Sequence, residues 1–250
     1  MLNAFRERLH QGYRTMRWPH GSPPPLPPEF RGRPIVDRAL PREAFAPALA
    51  ACPNEAFLPE GRIDLGRCLF CGECAASCPT GAVSFGADYR LAARRREDLL
   101  AGRDEMPRAE VLSKELRRLF GRSLKLRQVC AGGCNACEAD CNVLGTVGWD
   151  MGRFGIQFVA SPRHADGVLV TGPVTKNMRL ALEKTWQAIP SPRLVITVGA
   201  CAISGGPHRG SDQVCNGVTD ILPVDLFIPG CPPHPLTILD GLLRLLGRIP

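Results

Sequence analysis

No run in the sequence approaches 18 consecutive apolar residues, so no segment qualifies as a helix crossing a bilayer. Aromatic residues are sparse, 6% of 250, and little interleaved with basic ones, which leaves no stacking platform for nucleic acid. The opening residues do not read as a secretory signal, and Arg94-Arg95-Arg96 lies too far along the chain for a twin-arginine export signal, so a reducing cytosol is expected. Acid is short relative to base: 24 Asp and Glu stand against 31 Lys and Arg, a net charge of +7. Nearly all of the excess lies between Arg90 and Arg127, where 12 basic residues meet 6 acidic ones. A basic stretch in one connecting segment, without a nucleic-acid motif, points to a solvated or subunit-facing surface, and no nucleic-acid partner is expected.

What the chain has in quantity is cysteine, 12 in all, mostly in tight spacings that suit metal ligation better than disulfides. The densest stretch, "CLFCGECAASCP", places Cys68, Cys71, Cys74 and Cys78 at C-x2-C-x2-C-x3-C-P. That spacing can wrap three thiolates around one corner of an iron–sulfur cubane, while in two-cluster proteins the last cysteine serves the other cluster. The run alone leaves open whether Cys78 completes the site.

Four segments are expected. Residues 1–29 hold a basic amphipathic helix, with Leu2, Phe5, Leu9, Tyr13 and Met16 near helical spacing, and then the extended connector "SPPPLPP". The helix either packs on its own domain or rests as a foot on a membrane-embedded partner. Residues 30–89 form the cysteine-rich module, with strands near Ile35-Val36 and Ala82–Phe85; residues 90–123 form a basic, largely helical linker with Leu112, Leu116, Leu119 and Phe120 on one side. From 124 to 250, apolar runs at 124–129, 156–160, 167–172, 193–199 and 224–230 alternate with helical patterns at 176–188 and 235–246, the signature of βαβ units and a parallel sheet.

Within that last segment, Cys134, Cys137, Cys201 and Cys231 each fall just past an expected strand end. Ligands of open parallel sheets sit beyond those ends, so three loops can bring four thiolates together. Gly132, Gly133, Gly199, Gly205, Gly206 and Gly230 let backbone N–H groups approach such a group. Buried structural cysteines and a zinc site are the plainer alternatives.

"CNACE", "RFGIQFVASPRHADGVLVTGPVTKNM", "GACAISGG" and "VDLFIPGCPPHP", in that order over about 124–248, resemble the small, electron-transferring subunit of energy-converting nickel–iron hydrogenases of the formate-hydrogenlyase type, homologous to the terminal-cluster subunit of complex I. The resemblance implies a flavodoxin-like α/β fold and a 4Fe-4S cluster on Cys134, Cys137, Cys201 and Cys231. Cys134-Asn-Ala-Cys137 follows the hydrogenase-like spacing, not the adjacent cysteines of complex I. Glu138 matches a glutamate near the large-subunit interface, which implies a proton-path or ligand-supporting role, or simple interface pairing. Cys130, Cys141 and Cys215 match no ligand of the family.

Residues 1 to about 90, including "PPEFRGRP" and "CPTGAV", resemble the two-cluster ferredoxin subunit of the same complexes, which implies an α+β ferredoxin-like domain with two tandem motifs. Here the first copy keeps only Cys52-Pro53; its other ligand positions hold Arg42, Phe45 and Ala48. Crossed connectivity then implies one cluster on Cys52, Cys68, Cys71 and Cys74, with Cys78 an orphan; a local site using Cys78 in place of Cys52 is the rival.

The resemblance thus implies two 4Fe-4S clusters relaying electrons, with no catalytic residue in this chain. The expected partners are a hydrogenase-like large subunit, membrane-embedded subunits and other ferredoxin or redox subunits, and the expected place is the cytoplasmic face of the inner membrane. A complex I-like module passing electrons to quinone and a non-catalytic iron–sulfur assembly protein are the alternatives.

Overall fold

A computed structural model describes residues 2–12, 14–37, 39–78, 81–102 and 106–250. Tyr13, assigned above to the opening helix, and Pro79, which closes the dense cysteine motif, lie outside the described residues.

Helix α1 (Leu2–Gln11) stops at Gly12, whose φ of +63° is the left-handed conformation that commonly closes a helix. The expected continuation to Met16 is therefore corrected: the Met16 N–H donates to the Gly148 carbonyl at 2.9 Å, and Met16 packs on the C-terminal core. Phe5 and Leu9 are 73% and 80% exposed, so they do not dock α1 on its own domain. The proline-rich connector carries no helix or strand, and its Leu26 packs against the same core.

The cysteine-rich module is a quasi-repeat. It runs β1 (Pro34–Val36), a 3-10 turn at Arg42–Phe45, α2 (Ala46–Ala51), β2 (Phe57–Leu58), β3 (Arg62–Asp64), α3 (Glu73–Ala76), β4 (Val83–Phe85) and β5 (Leu100–Ala101). β1 pairs antiparallel with β4, Ile35 opposite Ser84, and β3 pairs antiparallel with both β2 and β5. Helices α2 and α3 pack together, and each leads into the cysteine that closes its copy of the motif, Cys52 or Cys78.

The segment 90–122 is not largely helical. Among its described residues only a 3-10 turn at Glu97–Leu99 and α4 (Lys114–Phe120) are helical, and β5 lies extended against β3. Three features decide this. Leu99 is buried in the N-terminal core, Pro107 blocks a continuous helix, and Ser113 starts α4 late by accepting the Leu116 N–H.

The remaining elements are β6 (Leu124–Cys130), α5 (Ala136–Val143), β7 (Ile156–Phe158), β8 (Gly167–Thr171), α6 (Lys176–Gln187), β9 (Leu194–Val198), α7 (Ala200–Ser204), β10 (Leu226–Ile228) and α8 (Pro235–Leu245). The strands form one parallel sheet in the order β10-β9-β8-β6-β7, the flavodoxin-like order. β8 and β9 are buried along their whole length, which is why they read as continuous apolar runs instead of alternating ones. Helix α8 is buried on every side, and its two charged side chains pair with each other, Arg244 Nε to Asp240 Oδ2 at 2.8 Å.

The two modules share core and backbone. Ala93 and Phe227 exchange both N–H···O bonds, at 3.0 and 2.8 Å, and Phe227 and Ile203 pack within the core of the cysteine-rich module. Arg96 reaches Asp64 at 2.6 Å, and the Ser204 hydroxyl donates to the Gly66 carbonyl at 2.7 Å. This joint fixes the distance between the two cysteine sets.

Candidate metal centres

The N-terminal set is built by the turn that follows β3. The Cys68 N–H donates to the Asp64 carbonyl at 2.9 Å, and Phe70 (φ +53°) and Gly72 (φ +88°) then reverse the backbone on either side of Cys71. Left-handed residues at those points turn successive N–H groups inward. Cys68, Cys71 and Cys74 line a small pocket, and the fourth cysteine on its wall is Cys52. The rest of that wall includes Ala56, Phe57, Ile63 and Phe85, so water has few partners there. Two sulfurs accept backbone N–H groups: Cys52 Sγ from Ala56 at 3.2 Å and Cys68 Sγ from Phe70 at 3.3 Å.

Burial pushes the Cys68 thiol up to about 12, with further upward contributions from Cys74, Cys52 and Cys71, and pushes Cys74 up to about 11, helped by Cys52 and Cys71. Packed thiols of this kind stay neutral until a cation arrives to balance them. An apolar pocket walled by four cysteines, with N–H groups on two sulfurs, fits a 4Fe-4S group.

Cys78 is elsewhere. It is buried, its thiol donates to the Ala44 carbonyl at 3.9 Å, and it does not line the pocket. Phe45 and Ala48 are fully buried in the same apolar core as Cys78, and the Phe45 ring lies 5.9 Å from that of Phe57. Arg42 is exposed. Hydrocarbon thus packs around Cys78 at two of the three vacated positions. Phe45→Ala is expected to cost about 3–5 kcal/mol, the usual range for emptying a buried phenylalanine site, measured by denaturant unfolding.

The C-terminal set sits beyond the carboxyl ends of the sheet. Cys134 and Cys137 follow β6, beside the point where connections leave β6 and β8 on opposite sides; Cys201 opens α7 after β9; Cys231 follows β10. Two glycines make the room. A Cβ on Gly199 (φ +91°) would stand 2.6 Å from Cys137 Sγ, and one on Gly206 (φ +53°) would stand 2.7 Å from Cys201 Sγ. Burial raises Cys137 far above the usual thiol range, with Cys201 and Glu138 adding to it. Burial also raises Cys201 to about 11, with contributions from Cys231 and Cys134, and raises Cys231 with contributions from Cys134 and Cys71. The four cysteines are therefore close enough to influence one another, and the two glycines leave the Cys137 and Cys201 sulfurs the room they occupy. Cys134 and Cys231 are exposed, so one side of this set is open.

Glu138 is buried in the first turn of α5 and accepts the Thr171 hydroxyl, which projects from the end of β8. The sequence offers no signal for Thr171 beyond its place at a strand end. Cys130 is exposed at the end of β6, Cys215 is half-buried, and Cys141 lies in the C-terminal core, where burial pushes it up to about 12. None of the three lines the N-terminal pocket; Cys141 lies one helical turn after Cys137 on α5 and adds to the raised pKa of that thiol. Among the described residues, no three His, Cys, Asp or Glu side chains are grouped to hold a single metal ion.

A flavodoxin-like sheet with thiols at its switch point, joined to a ferredoxin-like module, defines an iron–sulfur subunit of an oxidoreductase complex. The pattern of the "NADH ubiquinone oxidoreductase, 20 Kd subunit" family matches residues 134–245, and that of the 4Fe-4S binding domain matches residues 62–84. The chain is 42% identical over 138 residues to formate hydrogenlyase subunit 7 of Escherichia coli, covering 55% of this chain and 54% of that protein. It is 37% identical over 150 residues to the membrane-bound hydrogenase subunit mbhJ of Pyrococcus furiosus, covering 60% of this chain and 90% of that one. With an NADH-quinone oxidoreductase subunit of Bacteroides thetaiotaomicron it shares 42% identity over 116 residues, 46% of this chain and 59% of that protein. The chain belongs to this family of hydrogenase and NADH-quinone oxidoreductase subunits, although it spans only about half the length of some of the curated relatives it matches.

Proposed function

We propose that this chain is the electron-transferring subunit of a membrane-associated complex of the nickel–iron hydrogenase type, holding two 4Fe-4S groups, one on Cys52, Cys68, Cys71 and Cys74 and one on Cys134, Cys137, Cys201 and Cys231. The observation that supports this reading is that Cys52, Cys68, Cys71 and Cys74 line one pocket, while Phe70, beside Cys71, lines a cleft together with Cys231 of the second set. When bound, such groups accept and give up single electrons. The protein's part is to hold them, keep water from the inner thiols with Phe57, Ile63 and Phe85, and fix their separation through the Ala93–Phe227 and Ser204–Gly66 contacts.

The open side of the second set, with Cys134 and Cys231 exposed and Glu138 just inside, is the face for a large subunit that carries the catalytic metal. No helix among the described residues is long and apolar enough to cross a membrane. In the proposed arrangement the chain sits at the cytoplasmic face, attached through partner subunits. The similarity to the NADH-quinone oxidoreductase subunit keeps a complex I-like module as the second reading. Purification of the intact complex, with iron quantification and electron paramagnetic resonance under hydrogen, separates them. About eight irons per copy of this chain and signals that appear under hydrogen support the proposal. Signals that respond only to a quinol or other donor support the second reading, and iron near zero overturns both.

A further inference from the structure

We propose that Arg31 is a positioning residue for electron passage between the two thiol sets, holding the Cys71 turn and placing a positive charge between Cys71 and Cys231. The inference rests on the two-site reading above, and three observations carry it. First, Arg31 Nη1 donates to the Phe70 carbonyl at 3.3 Å, on the residue that precedes Cys71. Second, the guanidinium lies against Gly72, the residue that follows Cys71: a Cβ there would stand 2.9 Å from Arg31 Nε. Third, Arg31 and Phe70 line a cleft that Gly230, Cys231 and Pro232 also line. One side chain at the start of the cysteine-rich module thus touches both flanks of Cys71 and lines the same cleft as Cys231.

The physical consequence has two parts. Phe70 and Gly72 are both left-handed, so the turn around Cys71 has few alternative conformations only while something holds it; Arg31 fastens it from outside through a carbonyl, a contact that a planar fork with several donors makes well. A fixed cation near both sets also favours the more negative, reduced state of each. The acids in the same cleft are Glu29 and Asp140. Burial raises the Asp140 carboxyl above its usual range.

The test is a redox titration followed by electron paramagnetic resonance on the full-length, iron-loaded protein, wild type beside Arg31→Met and Arg31→Lys, with iron counted in each. With iron retained, Arg31→Met is expected to shift both midpoint potentials downward, and Arg31→Lys to restore part of the shift by returning charge without the fork. Each tenfold change in the reduction equilibrium reads as about 59 mV. Should Arg31→Met shed iron, Arg31→Lys carries the test: a downward shift smaller than one tenfold step supports the inference, and no shift overturns it. Unchanged potentials in an iron-replete Arg31→Met, or movement of one signal alone, overturn it as well. Failure of the underlying reading is distinct, because wild type would then hold fewer than about eight irons.

Discussion

Cys52→Ser is expected to lower the iron content from about eight to about four per chain and to abolish one of two paramagnetic signals, while Cys78→Ser leaves both in place. The two cysteines are 26 positions apart, each in a Cys-Pro pair. Their surroundings differ. Cys52 stands on the pocket wall with Cys68, Cys71 and Cys74, and its sulfur already accepts the Ala56 N–H. A serine hydroxyl there is a poor iron ligand and too short for the space. Cys78 donates to the Ala44 carbonyl from inside the packed core, a hydrogen bond that serine can also make, so its replacement should change stability by about 1 kcal/mol and iron not at all. Iron analysis and spectroscopy of the two variants check this, and loss of a signal in Cys78→Ser with both kept in Cys52→Ser would overturn the assignment.

Gly199→Ala should remove the other half: about four irons lost, the C-terminal signal abolished, the N-terminal signal retained. Two costs coincide at this position. With φ at +91° and ψ at 155°, the backbone is in a region nearly restricted to glycine, and the added methyl would stand 2.6 Å from Cys137 Sγ. Strain of that kind costs about 1–3 kcal/mol on its own. The sulfur cannot retreat without leaving the set, because Cys137 is held in the first turn of α5. Circular dichroism of the variant should keep its α/β signature, which separates a blocked site from an unfolded domain. Full iron with both signals would show that Cys137 is free to move and is not held by the glycine cradle.

Several local features that build these sites could be read directly. "VITVGAC" and "LFIPGC" already place a cysteine after a buried strand, since strand, glycine turn and ligand are contiguous in the chain. Phe45 and Ala48 could be recognised as non-ligands by residue type alone, but their full burial beside Cys78 comes from the packing of α2 on α3. The segment after Arg90 misled for a definable reason. Leu112, Leu116, Leu119 and Phe120 carry helical spacing, yet Leu119 is 57% exposed and Leu112 lies before the helix, because Leu99 and Leu112 answer to two different cores. Periodicity cannot register a chain that leaves one core for another. Arg31 was visible only as part of "PPEFRGRP"; its partners, Phe70 and Gly72, lie about forty positions away.

By itself, then, the sequence determined the chemistry: thiols at cubane spacing, glycines where a large group needs room, and apolar runs long enough for a buried parallel sheet. These are properties of residue type and of neighbours a few positions apart. Only the tertiary structure placed Cys52 on one pocket wall with Cys68, Cys71 and Cys74, packed hydrocarbon in the core that holds Cys78, and put Phe70, the neighbour of Cys71, in one cleft with Cys231. Each of those depends on contacts between segments far apart in the chain, and above all on the Ala93–Phe227 joint, whose hydrogen bonds are made by backbone atoms that every residue carries.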